Sequence, residues 1–149
     1  MQPIPPMITP NQWKKILVPT DFSEDSLKAL REARQFQQLT GAEVVLLHVT
    51  EPAFEGMRIH TKAKHDQMQM DARKELDALA SANFSRAASV TTLVQDGSAA
   101  DVICELAGTL NVEVIFIATH GITALKHFML GSVAEKVVRH APCSVLVVR

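Results

Sequence analysis

Several absences bound what this 149-residue chain can be. It has no apolar run near the roughly 20 residues that span a bilayer, so no transmembrane helix is expected. Cys104 and Cys143 are its only cysteines. Two thiols make no disulfide framework, and a reduced, cytoplasmic setting is the expectation. The formal net charge is −1, which leaves no basic field to draw the chain to nucleic acid or acidic lipid. The opening MQPIPPMITP has no Lys or Arg and lacks an apolar core of roughly 7–15 residues, so it does not read as a signal peptide. There is no internal repeat and no low-complexity tract. Neither G-x-x-x-x-G-K-[ST] nor G-x-G-x-x-G occurs, which removes two familiar phosphate-binding templates.

What remains suits one globular domain, with 47% hydrophobic and 21% charged residues. Residues 1–13 carry Pro3, Pro5, Pro6 and Pro10 and read as an extended arm preceding a domain over 14–149. Lys15 to Pro19 is a short buried strand. Ser23 can cap a helix whose apolar face is Leu27, Leu30, Ala33 and Phe36, ending at Gly41. Val44–Val49 is a second strand, closed by Glu51-Pro52. Residues 59–84 have apolar points at Met68, Ala72, Leu76 and Leu79, which predicts an amphipathic helix. A strand at Val90–Val94 precedes a helix marked by Ile103, Leu106, Ala107 and Leu110. A fourth strand at Val114–Ile117, a helix from Ser132 to His140 and a strand at Val145–Val148 complete the chain. Near-continuous apolar strands alternating with helices imply an α/β fold, a doubly wound five-stranded parallel sheet with helices on both faces. Ligands of such sheets bind beyond the carboxyl ends of the strands, where Val18, Val49 and Ile117 lead.

The most informative stretch is Ile117-Ala118-Thr119-His120-Gly121, then nine residues, then Gly131-Ser132-Val133-Ala134-Glu135. A helix start offers unpaired N–H groups and partial positive charge to an anion. Gly121 and Gly131 lack a Cβ, so their backbone can take positive φ and approach a ligand closely. Ser132 and Glu135 fit an S-x-x-E capping box with the helix starting at Ser132. Lys126 and His127, within the connection, are either solvated loop residues or charge near a phosphate. His120 either meets a phosphate or caps the turn. Asp21 either accepts hydrogen bonds from ribose hydroxyls or organises the turn into the first helix. His48, inside an apolar strand, reads as a satisfied core histidine. His60 and His65, five apart, make a poor metal pair. Cys104 and Cys143 read as packing residues, and Met68 and Met70 as core or rim.

Taken together, these segments resemble the universal stress protein family in its nucleotide-binding branch, over residues 14–149. The resemblance rests on Ile16-Leu17-Val18-Pro19-Thr20-Asp21-Phe22-Ser23, Leu46-Leu47-His48-Val49, Gly97, Thr119-His120-Gly121-x9-Gly131-Ser132 and the closing Val137–Val148. It implies a Rossmann-like adenine-nucleotide hydrolase-like fold and a stress-response protein that binds ATP or another adenine nucleotide with no or very slow hydrolysis. The implied site is Asp21 on the ribose, the Val49 backbone on the adenine edge, and Pro19 and Ile117 lining the pocket. Thr20, Ala118 and His120 are also among the implied nucleotide-binding residues, and Gly121, Gly131, Ser132 and Val133 cradle the phosphates. Mg would bridge phosphate oxygens, without protein side-chain ligands. A homodimer through the last strand, 144–149, is also implied, which would cover an apolar sheet edge.

The family pattern G-x-x-G-x9-G-[ST] has Ala118 in place of its first glycine, and Ser144 stands where proline is usual. At Ala118 a negative φ leaves the site intact, whereas a positive φ costs on the order of 1 kcal/mol or more. That substitution motivates an alternative, a dimeric interaction protein of the same family with a vestigial pocket. An enzyme of the related hydrolase superfamily is not supported. Residues 20–24 read Thr-Asp-Phe-Ser-Glu rather than S-G-G-x-D, H-I-G-H is absent, and no nucleophile and base accompany the cradle. A receiver domain would need an acid cluster after the first strand and a lysine after the fifth.

Overall fold

A computed structural model describes residues 13–51, 62–120 and 130–149. The order is β1 (Lys15–Pro19), α1 (Glu24–Thr40), β2 (Glu43–Thr50), α2 (Lys62–Asn83), β3 (Val90–Asp96), α3 (Ala99–Thr109), β4 (Val114–Ala118), α4 (Ser132–His140) and β5 (Ser144–Val148). All four strand pairings are parallel, in the spatial order β3-β2-β1-β4-β5. The chain winds outward from β1 through β2 to β3, then returns to β4 and β5. The direction reverses between β1 and β4, which is where a crevice opens in sheets of this kind.

The apolar strand runs are explained by burial on both faces. Ile16, Leu17 and Val18 of β1 are fully buried. Because side chains alternate along a strand, Ile16, Val18, Val44, Leu46 and Phe116 pack under α1 and α2. Leu17, Val45, Leu47, Ile115 and Ile117 pack under α3 and α4. The start of α1 is fixed as the sequence suggests, since the Ser26 N–H donates to Ser23 Oγ at 3.2 Å. Its end is Gly41, at φ 71. Trp13, expected in the arm, packs on the core, its ring centroid 5.8 Å from that of Phe36. The rest of the arm, Pro52 and His60 lie outside the described residues.

One expectation about α2 fails. Its buried stripe is Ala72 and Leu76, and Met68 and Met70 are exposed. At that turn α2 meets the sheet through polar groups. His65 Nε2 lies 2.9 Å from Asp96 Oδ2, and Gln69 donates to Thr50 Oγ1 and Asp96 Oδ1. Cys104 and Cys143 pack around the α3/α4 core. Burial raises both thiol pKa values, helped by the Asp101 charge at Cys104 and by Cys104 at Cys143, as befits packing residues. No described helix is long and apolar enough to cross a membrane.

Candidate functional site

Beyond the carboxyl ends of β1, β2 and β4 lies a cavity of about 680 Å³. Pro19, Thr20, Asp21, Val49, Ile117, Ala118, His120, Gly131, Ser132 and Val133 all line it. Gly121, Lys126 and His127 lie outside the described residues. The sequence reading missed Leu47, Ala99 and Ile103, which build an apolar wall. Leu47 had a signal, being two residues before Val49 and so on the same strand face. A smaller hollow of about 390 Å³, beside Phe84 and Arg86, sits at the amino end of β3, away from these groups.

The turn after β1 is tightly organised. The Thr20 N–H donates to the Leu47 carbonyl at 2.8 Å. Ser26 Oγ donates to the Ser23 carbonyl, so the buried Thr20 hydroxyl donates to Ser26 Oγ at 2.9 Å and accepts from the Phe22 N–H at 3.0 Å. The Thr20 hydroxyl therefore serves the scaffold, although the residue borders the cavity. Asp21 Oδ1 accepts from the Ser23 N–H at 3.0 Å. Its turn-organising role and its place on the cavity wall thus coexist in one carboxylate.

On the opposite flank of the crevice, α4 does begin at Ser132, but the capping box does not form. Gly131 is the N-cap, with no side-chain cap bond, and Glu135 pairs with Arg139 at 2.9 Å. Ser132 is therefore the first helical residue. Gly131 has φ −58, so positive φ is not its reason for being glycine. A Cβ there would sit 2.9 Å from the Thr119 carbonyl oxygen and 3.4 Å from His120 Cα. The Gly131 N–H donates to that same carbonyl at 2.7 Å. Its amide is committed to the loop, and the helix start offers instead the N–H groups of Ser132, Val133 and Ala134, which have no intrahelical partner. His120 Nδ1 lies 3.0 Å from Thr119 Oγ1.

Ala118 is buried in β4, paired with Val148. Among described non-glycine residues only Phe22 and Asn111 have positive φ, so Ala118 carries no such strain. Asp21, Glu51 and Glu135 also line the cavity. Among the described residues no cluster of three or more His, Cys, Asp or Glu could hold a metal ion.

Fold and cavity together define a doubly wound α/β domain with a ligand-sized cavity at its switch point. The universal stress protein family model matches residues 12–149, and the chain belongs to that family. Universal stress protein MJ0531 of Methanocaldococcus jannaschii is 32% identical over 146 residues, covering 93% of this chain and 84% of that one. The solved structure of hypothetical protein MJ0577, from the same organism, has a TM-score of 0.79 at 30% identity, covering 91% of this chain and 95% of that one. A universal stress protein crystallised in complex with cAMP has a TM-score of 0.67 at 22% identity, covering 92% and 97%, a likeness of fold.

Proposed function

We propose that this chain is an adenine-nucleotide-binding universal stress protein, with ATP the first candidate, that holds its ligand rather than turning it over. One observation carries this reading. Asp21, the end of β2 at Val49 and the start of α4 at Ser132 converge on one cavity although far apart in the chain. A carboxylate suits ribose hydroxyls, the apolar wall of Leu47, Ile103 and Ile117 suits a flat base, and free helix N–H groups suit phosphates. The fold accommodates cAMP in one solved relative. With Asp21, Glu51 and Glu135 on the wall, Mg held by phosphate oxygens would offset the accumulated negative charge. Groups that chemistry would need, such as Asp21 Oδ1 and His120 Nδ1, sit in local hydrogen bonds that favour holding over turnover.

Calorimetry with ATP on nucleotide-stripped protein should give saturable binding, and no binding at millimolar ATP overturns the reading. Ala118→Gly should change the affinity less than about threefold, below 1 kcal/mol, because no backbone strain is relieved. A large gain would favour the vestigial pocket instead. We also propose homodimerisation through β5, whose outer backbone edge is unpaired within the described sheet. Light scattering should return twice the chain mass of 16.3 kDa. A monomer mass across tens of micromolar would dismiss it.

A further inference from the structure

His48 is hydrogen-bonded as expected, but it is half-buried at the cavity wall rather than in the core. Its side chain lies on the α1/α2 face of β2, with Nδ1 2.8 Å from the Thr20 carbonyl oxygen. A carbonyl only accepts, so Nδ1 carries the proton and donates. The ring also stacks on Phe22, centroids 4.5 Å apart and planes tilted by 34°. Phe22 holds φ 63, a left-handed conformation that a bulky side chain adopts only when its surroundings enforce it. Asp21 sits between these two anchored residues.

The backbone bond at Thr20 has a second consequence. In the β1–β2 ladder the Thr20 N–H goes to the Leu47 carbonyl, and the paired register ends at Pro19 with Leu47. One further step of a regular parallel ladder would give the Thr20 carbonyl to the Val49 N–H. The imidazole takes it instead, and no bond from the Val49 N–H to Thr20 accompanies it. Alternation along β2 turns the Val49 N–H and C=O toward the β1 side, away from β3, and Val49 borders the cavity.

We infer that His48 is a positioning residue for the cavity: by capping the Thr20 carbonyl it stops the β1–β2 ladder and keeps the Val49 amide available to a ligand's base edge, while its ring fixes the turn that presents Asp21. The ligand part of this inference rests on the adenine-nucleotide reading above, but the ladder part does not. The test uses His48→Phe, which keeps an apolar ring and loses the donor, and His48→Asn, which restores a donor near the Nδ1 position. Amide hydrogen exchange followed by NMR, without nucleotide, should find Val49 exchanging fast in the parent and at least about tenfold slower in His48→Phe, as its N–H joins the ladder. Leu46 exchange, unchanged, serves as the fold control. ATP affinity should fall about tenfold in His48→Phe and recover to within about threefold of the parent in His48→Asn, while tripolyphosphate binding stays level. A Val49 amide already protected in the parent, or unaltered in His48→Phe, overturns the positioning role. Equal loss of ATP and tripolyphosphate affinity also overturns it, since that marks general damage. If the parent binds no adenine nucleotide, the nucleotide reading fails, and Val49 exchange still decides the role of His48.

Discussion

Gly131→Ala is expected to weaken ATP binding about tenfold or more and to lower the melting temperature, although the substitution adds only one methyl group. The backbone conformation at φ −58 suits alanine well, so the cost is steric. The new Cβ would stand 2.9 Å from the Thr119 carbonyl oxygen, a backbone atom that cannot swing aside like a side-chain tip. Relief requires lengthening the 2.7 Å bond from the Gly131 N–H to that oxygen, which ties the entry of α4 to the end of β4. Overpacking of this kind costs about 1–3 kcal/mol, or roughly 2–10 °C for a domain of this size. The displacement would carry the Ser132, Val133 and Ala134 amides away from the phosphates. Gly41→Ala is the contrast. A Cβ added there meets open space, and the φ of 71 alone disfavours it, so the change should cost about 1 kcal/mol of stability and leave binding alone. Calorimetry and thermal unfolding on both variants check this. A Gly131→Ala protein with parental affinity and melting temperature would show that the close approach is not needed.

Leu46→Ala should be among the most destabilising simple truncations, at about 2–5 kcal/mol, a large share of the roughly 5–15 kcal/mol that holds a domain together. Leu46 is fully buried on β2, in one cluster with Ile16, Val18, Leu30 and Leu76 from three other elements. Elements this different cannot all close in on the space a leucine leaves. Leu39, 85% exposed on α1, should tolerate the same change within about 0.5 kcal/mol. Urea unfolding with an unchanged slope would measure both. A loss below about 1 kcal/mol at Leu46 would contradict its place in the core.

Much of this fold could be read along the chain. Ser23 and Gly41 bound α1 as their capping chemistry suggests, and the Val/Ile/Leu runs became parallel strands because both faces are covered. The errors share a cause. The S-x-x-E spacing at Ser132 is compatible with a capping box, but the bond from the Gly131 N–H to Thr119 sets where the helix begins. Met68 lies four residues before Ala72, in helical register, yet that turn of α2 faces the sheet through His65 and Gln69. In both places the local pattern permits the expected contact, and a contact distant in sequence decides the outcome.

The cradle from Ile117 to Glu135 shows the same division. From the sequence alone came its residue types, its helix start and the alternation of strands and helices that makes it the end of a strand in a parallel sheet. The helical and strand patterns are consequences of periodicity, which acts over a few residues, whereas the bond from the Gly131 N–H to Thr119 holds the helix start in place. Strand order is different, because it depends on which apolar faces pack together across the whole chain. Only that packing brings Asp21, Val49 and Ser132 to one cavity, keeps Ala118 at unstrained φ and seats the His48 imidazole on the Thr20 carbonyl.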